Sequence, residues 1–469
     1  MNANQIDSAR SRRHVVIVGG GFAGLRAARA LSNVDVDVTL IDRRNHHLFQ
    51  PLLYQVACAG LAATDIAVPL RHALRSVGNV RTLMAVVESA DLKCRRVQLS
   101  DGSKIAYDYL ILAAGAEPNY FGNDDWEPYA PSLKSLDAAL RLRERILLAF
   151  ERAEREPSRA NRQRLLSFAV IGAGPTGVEM AGALAELGRL AIARDYRRVE
   201  RADVRVTLIE MGDRVLPTFG TASSHAAQRM LEELGVEVRL RCKVDAVSDG
   251  LVMHAGGTQA ASTICWASGV KPAGLASMMA DQVPLNGQGR IAVKGDCSLE
   301  HYPEVFVLGD MACFRCHRRQ RPLPALAAVA VQQGDAVGAN IARDLRRRPR
   351  HAFEYHDRGI MATVGRGRAV ADLGQLHLAG GGAWALWSLV HIYQLIGMRN
   401  RLRVLLDWAW QYLTTTRRPG ARIITGREAA AEAALVDRHI DLARPDKAPS
   451  RLFHPQLPAV RHEVKGGHA

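Results

Sequence analysis

The 469-residue chain has no uninterrupted apolar run of the roughly 18 residues that a membrane-crossing helix needs. The nearest candidate, residues 383–398, is 16 long and includes Ser388, His391 and Gln394. A spanning helix is therefore not expected. The opening MNANQIDSARSRR has no hydrophobic core before the apolar stretch at His14, so neither a secretory signal nor an export role for Arg12-Arg13 fits, and a cytosolic product is expected. Cysteine is scarce: seven residues (58, 94, 242, 265, 297, 313, 316), scattered and odd in number, which excludes a disulfide framework and fits reduced thiols. Cys58 has no second cysteine four or five residues away, so a redox dithiol is not expected. Cys313, Cys316 and His317 formally match CxxCH, but haem attachment requires export; two thiols on a basic loop are expected instead, and no metal site. Lysine is scarce too, eight of 62 cations, so Arg dominates a net charge of +15. That surface favours an anionic partner. Zinc-finger spacing, an RNP signature and a basic-region heptad are all missing, so nucleic acid is not the expected partner and lipid headgroups remain.

With 48% apolar and 23% charged residues the composition is globular, and the length implies more than one domain. HVVIVGGGFAGLRAARAL reads as a buried strand, a glycine turn and a helix, followed by the strand VDVTLID. In this βαβ unit Gly19 permits the tight turn, Gly21 lets backbone N–H groups approach a pyrophosphate, and Gly24 lets helix and strand pack closely. Gly20, Phe22 and Ala23 complete the loop that would face the phosphates. Asp42 ends the second strand, where a carboxylate can accept hydrogen bonds from a ribose. The same grammar recurs in FAVIGAGPTGVEMAGALAEL and VRVTLIE, with Gly172, Gly174, Gly177 and the closing Glu210. One GxGxxG can be chance; two, each between strand and helix with an acid downstream, predict two dinucleotide sites. The strands YDYLILAAG and EVFVLGD end at Gly115 and at Gly309-Asp310, and Asp310 either caps a helix or hydrogen-bonds a flavin ribitol. Ser135 to Arg155 reads as a solvated helix at a domain boundary.

Flavin plus nicotinamide implies hydride transfer to a further acceptor. The C-terminal region favours a lipid-soluble quinone: Trp384, Trp387, Trp408 and Trp410 cluster with Tyr393 and Tyr412, and Arg399, Arg401 and Arg403 stand between the two aromatic stretches. Ser388, His391 and Gln394 recur every three residues, and Arg403, Asp407 and Gln411 every four, so each helix has a narrow polar seam and a wide apolar face. Those faces suit a membrane surface or, alternatively, the interface of a homodimer.

These segments, with HHLFQPLLYQVACAGL, GAGPTGVE, CWASGV, VLGDMA, PALAAVAVQQGDAVGANIARDL and AWALWSLVHIYQLIGMRNRLRVLLDWAWQYLTTTRRPGARIITG, resemble the type II, single-subunit, non-proton-pumping NADH:quinone oxidoreductases from about His14 to Gly426. The resemblance implies an α/β fold: a flavin domain (1–134 and 285–345) with an inserted nicotinamide domain (135–284), a membrane-attachment region (346–426) and a polar tail (427–469). It implies bound FAD, NADH as donor, ubiquinone or menaquinone as acceptor, and peripheral attachment to the cytoplasmic face of the cell membrane. The flavin contacts it implies are Gly19 to Gly24, Asp42, Arg43, Val87, Gly115 and Asp310, with Ala327 and Ala328 near the isoalloxazine. The nicotinamide contacts are Gly172, Gly174, Gly177, Glu179, Glu210 and Gly269. The family's AQxAxQ quinone motif reads Ala327-Ala328-Val329-Ala330-Val331-Gln332 here, keeping the second glutamine but not the first. Glu179 and Gln332 are the expected catalytic pair. A soluble reductase of a protein acceptor, a sulfide:quinone reductase and a redox sensor are the alternatives. A sulfide reductase would need reactive cysteines and no intact nicotinamide site, and the clean Gly172 and Glu210 site opposes it.

Overall fold

In a computed structural model that describes residues 12–192, 195–315, 322–414 and 422–424, each glycine-rich turn follows an interior strand of its own parallel sheet. The first sheet has five parallel strands in the order Val305–Val307, Tyr109–Leu112, Arg13–Val18, Val36–Asp42, Val80–Met84. Val15, Val16, Ile17, Leu110 and Ile111 are fully buried, because helices and small sheets cover both faces of a parallel sheet. The chain leaves Arg13–Val18 toward one edge and later returns on its other side, which opens a crevice at the carboxyl ends of Arg13–Val18 and Tyr109–Leu112. Gly19 and Gly115 flank that crevice.

The second sheet repeats the plan with Val236–Arg239, Arg205–Ile209, Ser167–Ile171 and Thr263–Trp266, all parallel. Its switch point is flanked by Gly172 and Gly269. All four of its strands fall, in sequence, between the fourth and fifth strands of the first sheet. A three-stranded antiparallel sheet interrupts each unit at the equivalent place, Val87–Ala106 in the first and Val244–Ala260 in the second. The antiparallel ribbon of Ala116–Pro118 and Val270–Pro272 ties the two units together just beyond their switch points.

Packing around the two glycine helices differs. Helix Phe22–Ala30 lies against helix Ala327–Leu345 so closely that a Cβ at Gly334 would meet the Ala23 carbonyl and one at Gly338 the Ala30 methyl. Helix Pro175–Ile192 is instead covered by the C-terminal strand Ile360–Gly365, whose Val364 carbonyl leaves no room for a Cβ at Gly182. That strand belongs to an antiparallel sheet with Arg368–Leu373 and Leu376–Gly380, which leads into helices Gly381–Gln394 and Met398–Thr414. Gly397, at φ 86°, takes the left-handed conformation needed to turn between these helices. Helix Leu136–Arg155 is not merely a solvated boundary element. The Ser135 hydroxyl caps it by accepting from the Ala138 N–H, and Leu142, Ile146, Phe150 and Ala153 bury its inner face. Among the described residues no helix is long and apolar enough to cross a membrane. The chain up to Ile423 is one compact unit; the expected polar tail lies outside the described residues.

Candidate active site

The two glycine turns have matching geometry. Gly19 (φ 108°) and Gly172 (φ 100°) adopt conformations closed to L side chains, and a Cβ on either would strike the strand beside it, at Ala113 and Ser268 respectively. A Cβ on Gly24 or Gly177 would collide with the carbonyl of Gly19 or Gly172, so each third glycine is required by the close approach of helix and turn. The middle glycines differ from these: a Cβ on Gly21 or Gly174 would meet nothing within 4 Å. They border open space at a helix start. Neither helix has an acidic residue in its first turn, so the positive helix end can receive an anion. Both loops therefore fit the pyrophosphate of a dinucleotide.

The closing acids also correspond. Asp42 accepts from the N–H groups of Gly20 (2.6 Å) and Arg44 (2.7 Å). Glu210 accepts from those of Ala173 (2.6 Å) and Gly212 (2.7 Å). Each carboxylate thus locks its glycine turn to its strand end and keeps further lone pairs for ribose hydroxyls. Arg214, a cation close to the Glu210 end, donates to the Pro217 carbonyl (3.0 Å) and the Thr221 hydroxyl (3.3 Å). Arg43 pairs with Glu117 (3.2 Å) on the inter-unit ribbon. Val87 opens the strand Val87–Asp91, two residues after Ala85 donates to the Asp42 carbonyl (2.9 Å).

Asp310 sits in the one-turn helix Gly309–Met311, and the Lys134 ammonium lies 3.6 Å from its carboxylate. The fully buried Gln333 holds this turn by accepting from the Gly309 N–H (2.7 Å). Gln333 and Lys134 were not singled out in the sequence; the only hint of the former was the doubled Gln332-Gln333. Helix Ala327–Leu345 begins at half-buried Ala327 and Ala328 with no side-chain cap and no acid in its first turn, leaving N–H donors free at its start. Gly115 (φ 76°) borders open space, whereas Gly269 (φ 73°) lies under the Phe121 ring, which a Cβ there would hit.

Glu179 lies beyond the first turn of helix Pro175–Ile192, so a helix-dipole role does not account for it. Its carboxyl is buried, which pushes its pKa well above the usual range, against the opposing pull of the Thr363 backbone N–H. Beside it is Tyr54, whose phenol is raised far above normal by burial and then by the charge of Glu179. Tyr54 accepts from the Gln55 amide (2.8 Å), and Gln55 in turn accepts from the Trp408 indole (3.0 Å). A buried polar chain therefore connects the second C-terminal helix to the neighbourhood of Glu179. Gln332, the other member of the expected catalytic pair, has its amide engaged at both ends: it donates to the His356 carbonyl and accepts from the His356 N–H, both at 3.0 Å.

The C-terminal helices turn their polar seams inward. Ser388 is buried, His391 is largely so, Asp407 is half-buried and Arg403 approaches the fully buried Asp65 at 3.8 Å, whereas Gln394 faces out. Leu389, Tyr393, Leu402, Leu405, Leu406 and Trp410 point outward, each 48–73% exposed. This inversion leaves a large apolar surface. Two of the three flanking arginines are engaged by the protein: Arg401 donates to the Leu395 carbonyl (2.8 Å) and covers the Tyr393 ring, and Arg403 faces Asp65, while Arg399 is exposed.

Four of the described thiols are held away from the thiolate form. Cys265 and Cys297 are raised by burial, Cys242 likewise, and Cys94 by its contact with Asp91. Cys316 and His317 lie outside the described residues, and the described residues contain no cluster able to hold a metal.

Residues 13–334 match the family model for pyridine nucleotide-disulphide oxidoreductases, and residues 357–417 match that of the NDH2 C-terminal domain. The chain is 41% identical over 438 residues to the type II NADH:quinone oxidoreductase Ndh of Mycobacterium tuberculosis, covering 90% of this chain and 93% of that protein. It is 30% identical over 365 residues to a type II NADH:quinone oxidoreductase of Staphylococcus aureus, covering 76% of this chain and 89% of that protein. In fold it is similar to NDH2 of Plasmodium falciparum (TM-score 0.78, 20% identity, 87% of this chain and 99% of that one). The sulfide:quinone oxidoreductase of Aquifex aeolicus is similar as well (TM-score 0.67, 21% identity, 86% and 96%).

Proposed function

The chain belongs to the type II NADH:quinone oxidoreductases, and on that premise we propose how its residues divide the work. It is an enzyme that passes two electrons from NADH to a quinone without pumping protons. Bound FAD supplies the two-electron chemistry between the two substrates. In our reading Gly19 to Gly24, Asp42, Arg43, Val87, Gly115 and Asp310 hold FAD, with the free N–H groups at Ala327 and Ala328 aimed at its ring. Gly172, Gly174, Gly177, Glu210 and Gly269 hold NADH. The observation that carries this assignment is the pair of open spaces at Gly21 and Gly174, each beside a helix start without an acid. Glu210 would repel a 2′-phosphate, and the turn of Arg214 toward Pro217 and Thr221 supports preference for NADH. Glu179, whose carboxyl pKa is raised by burial, is in this reading the group that takes up or releases a proton between the nicotinamide helix and the C-terminal sheet. Gln332 reaches a quinone only if it gives up its two bonds to His356.

The acceptor in this reading is a membrane quinone with an isoprenoid tail, ubiquinone or menaquinone, met at the cytoplasmic face. The outward Leu and Trp side chains supply attachment: a fully buried Leu contributes about 1.5–3 kcal/mol and an Arg near an anionic surface about 1 kcal/mol, so hydrophobic burial dominates. The full-length protein should cosediment with anionic liposomes and stay bound in high salt. Leu389→Glu with Leu406→Glu should release it, sparing short-chain quinone reduction and losing long-chain quinone reduction. If the variant still sediments and only its dimer dissociates, the faces join two copies instead.

A further inference from the structure

The inward face of helix Gly381–Gln394 contains two buried donors with no acceptor. Trp387 is 1% exposed and its indole N–H has no partner; Ser388 is 9% exposed and its hydroxyl has none. An unpaired buried N–H costs about 1–3 kcal/mol, and a packed core normally pairs such groups. The surroundings of Trp387 are chemically specific. Its ring stacks on His391 at 4.3 Å (28° between planes) and on Trp408 at 5.4 Å (25°). His391 meets Phe49 edge-on at 6.2 Å, and Phe49 meets Phe22 at 5.9 Å, inside the first glycine turn. The rings thus form a continuous path from that turn to the apolar C-terminal helices. His391 Nδ1 lies 2.7 Å from the Trp387 carbonyl, which can only accept, so Nδ1 carries the hydrogen. Burial lowers the His391 pKa to about 4, so the ring is neutral near pH 7 and its Nε2 has a free lone pair.

Where the family motif would offer amides, this chain offers the Ala328 methyl and a Gln332 amide already bonded at both ends. We propose that the indole N–H of Trp387 donates to a quinone carbonyl, with the stacked Trp387 and His391 rings as the platform for the head group. The inference rests on the quinone-reductase reading and names a substrate-contacting residue for it. A planar diketone suits the arrangement: its carbonyl satisfies the unpaired donor, and its ring can lie against the edge of the stacked indole and imidazole. His391 Nε2 can accept from the hydroxyl of the hydroquinone product. The outward Leu389 and Tyr393 on the same helix put this platform next to the surface proposed to meet lipid.

The test compares Trp387→Phe with the wild-type holoenzyme. The KM for a short-chain quinone should rise about three- to tenfold, the effect of losing one hydrogen bond, while flavin reduction by NADH keeps its wild-type rate. If Trp387 is only a packing residue, Trp387→Phe leaves the quinone KM unchanged while the cavity lowers Tm; that result overturns the proposal. Should Trp387→Phe lose flavin, the benzothiophene analogue of tryptophan at position 387 decides, since it keeps the ring outline and replaces N–H by sulfur. A raised quinone KM in that protein supports the donor role, and an unchanged one refutes it. A wild-type protein whose reduced flavin is not reoxidised by quinone would instead sink the underlying functional reading.

Discussion

The two dinucleotide units are nearly superposable as chemistry and different as neighbourhoods. Each has a left-handed glycine at the strand end, an open middle glycine, a third glycine pressed on the first, and an acid whose two oxygens hold backbone N–H groups at 2.6 and 2.7 Å. What distinguishes them is the cover. The first helix is sealed by the late return of its own domain, with Gly334 against the Ala23 carbonyl, Gly338 against the Ala30 methyl and Gln333 fixing the turn of Asp310. The second helix is covered by the C-terminal sheet and buries an ionisable Glu179 in that joint. In the proposed reading both glycine fingerprints are phosphate cradles, and the packing around each is what separates a resident cofactor from a visiting substrate.

The largest expected effect breaks that comparison directly. Gly24→Val and Gly177→Val make the same collision, each with the carbonyl of its first glycine. Gly24→Val should give protein without flavin, whereas Gly177→Val should keep its flavin and lose NADH-dependent bleaching by more than about tenfold in kcat/KM. Loss of flavin in both, or in neither, would show that the units are not divided in this way.

A second, smaller effect belongs to Glu179. Its pKa is raised in the folded protein, so the stability it contributes is complete below the ordinary glutamate value of about 4.3 and is lost as pH rises toward and through the raised value. Glu179→Gln, which mimics the protonated form, should have a higher Tm than wild type in alkaline buffer and lose that advantage in mild acid. The rate of flavin reduction by NADH should fall with rising pH in wild type and stay flat in the variant. Parallel pH profiles would remove Glu179 from the reaction. Least in size is the expected change at Glu210: Glu210→Gln should narrow the NADH over NADPH ratio in kcat/KM by about three- to tenfold. An unchanged ratio would mean that another residue reads the 2′ position.

The cradles were legible because their determinants are local: three glycines within six residues and one acid at the next strand end. The parallel α/β architecture and the inward-facing strands follow from the same short-range pattern. The surrounding contacts were not legible, since they join distant segments. Lys134 meets Asp310, and Trp408 donates to Gln55 across 353 positions, which periodicity does not report. Gln332 and Gln333 are neighbours in sequence, yet helix geometry sends one to the His356 backbone and buries the other under Gly309. Periodicity located the polar seams of the C-terminal helices but not their direction. Arg403 turns inward because Asp65 awaits it, and the apolar side becomes the outer surface.

The most direct test of the division between resident and visiting nucleotide is anaerobic stopped flow on purified full-length protein, desalted before use and followed by flavin absorbance. The protein should retain about one FAD per chain through desalting without added nicotinamide, bleach rapidly with NADH and far more slowly with NADPH, and recover its colour on mixing with a short-chain quinone. A protein that loses its flavin on desalting, bleaches equally with NADPH, or stays reduced when quinone is added would contradict the account.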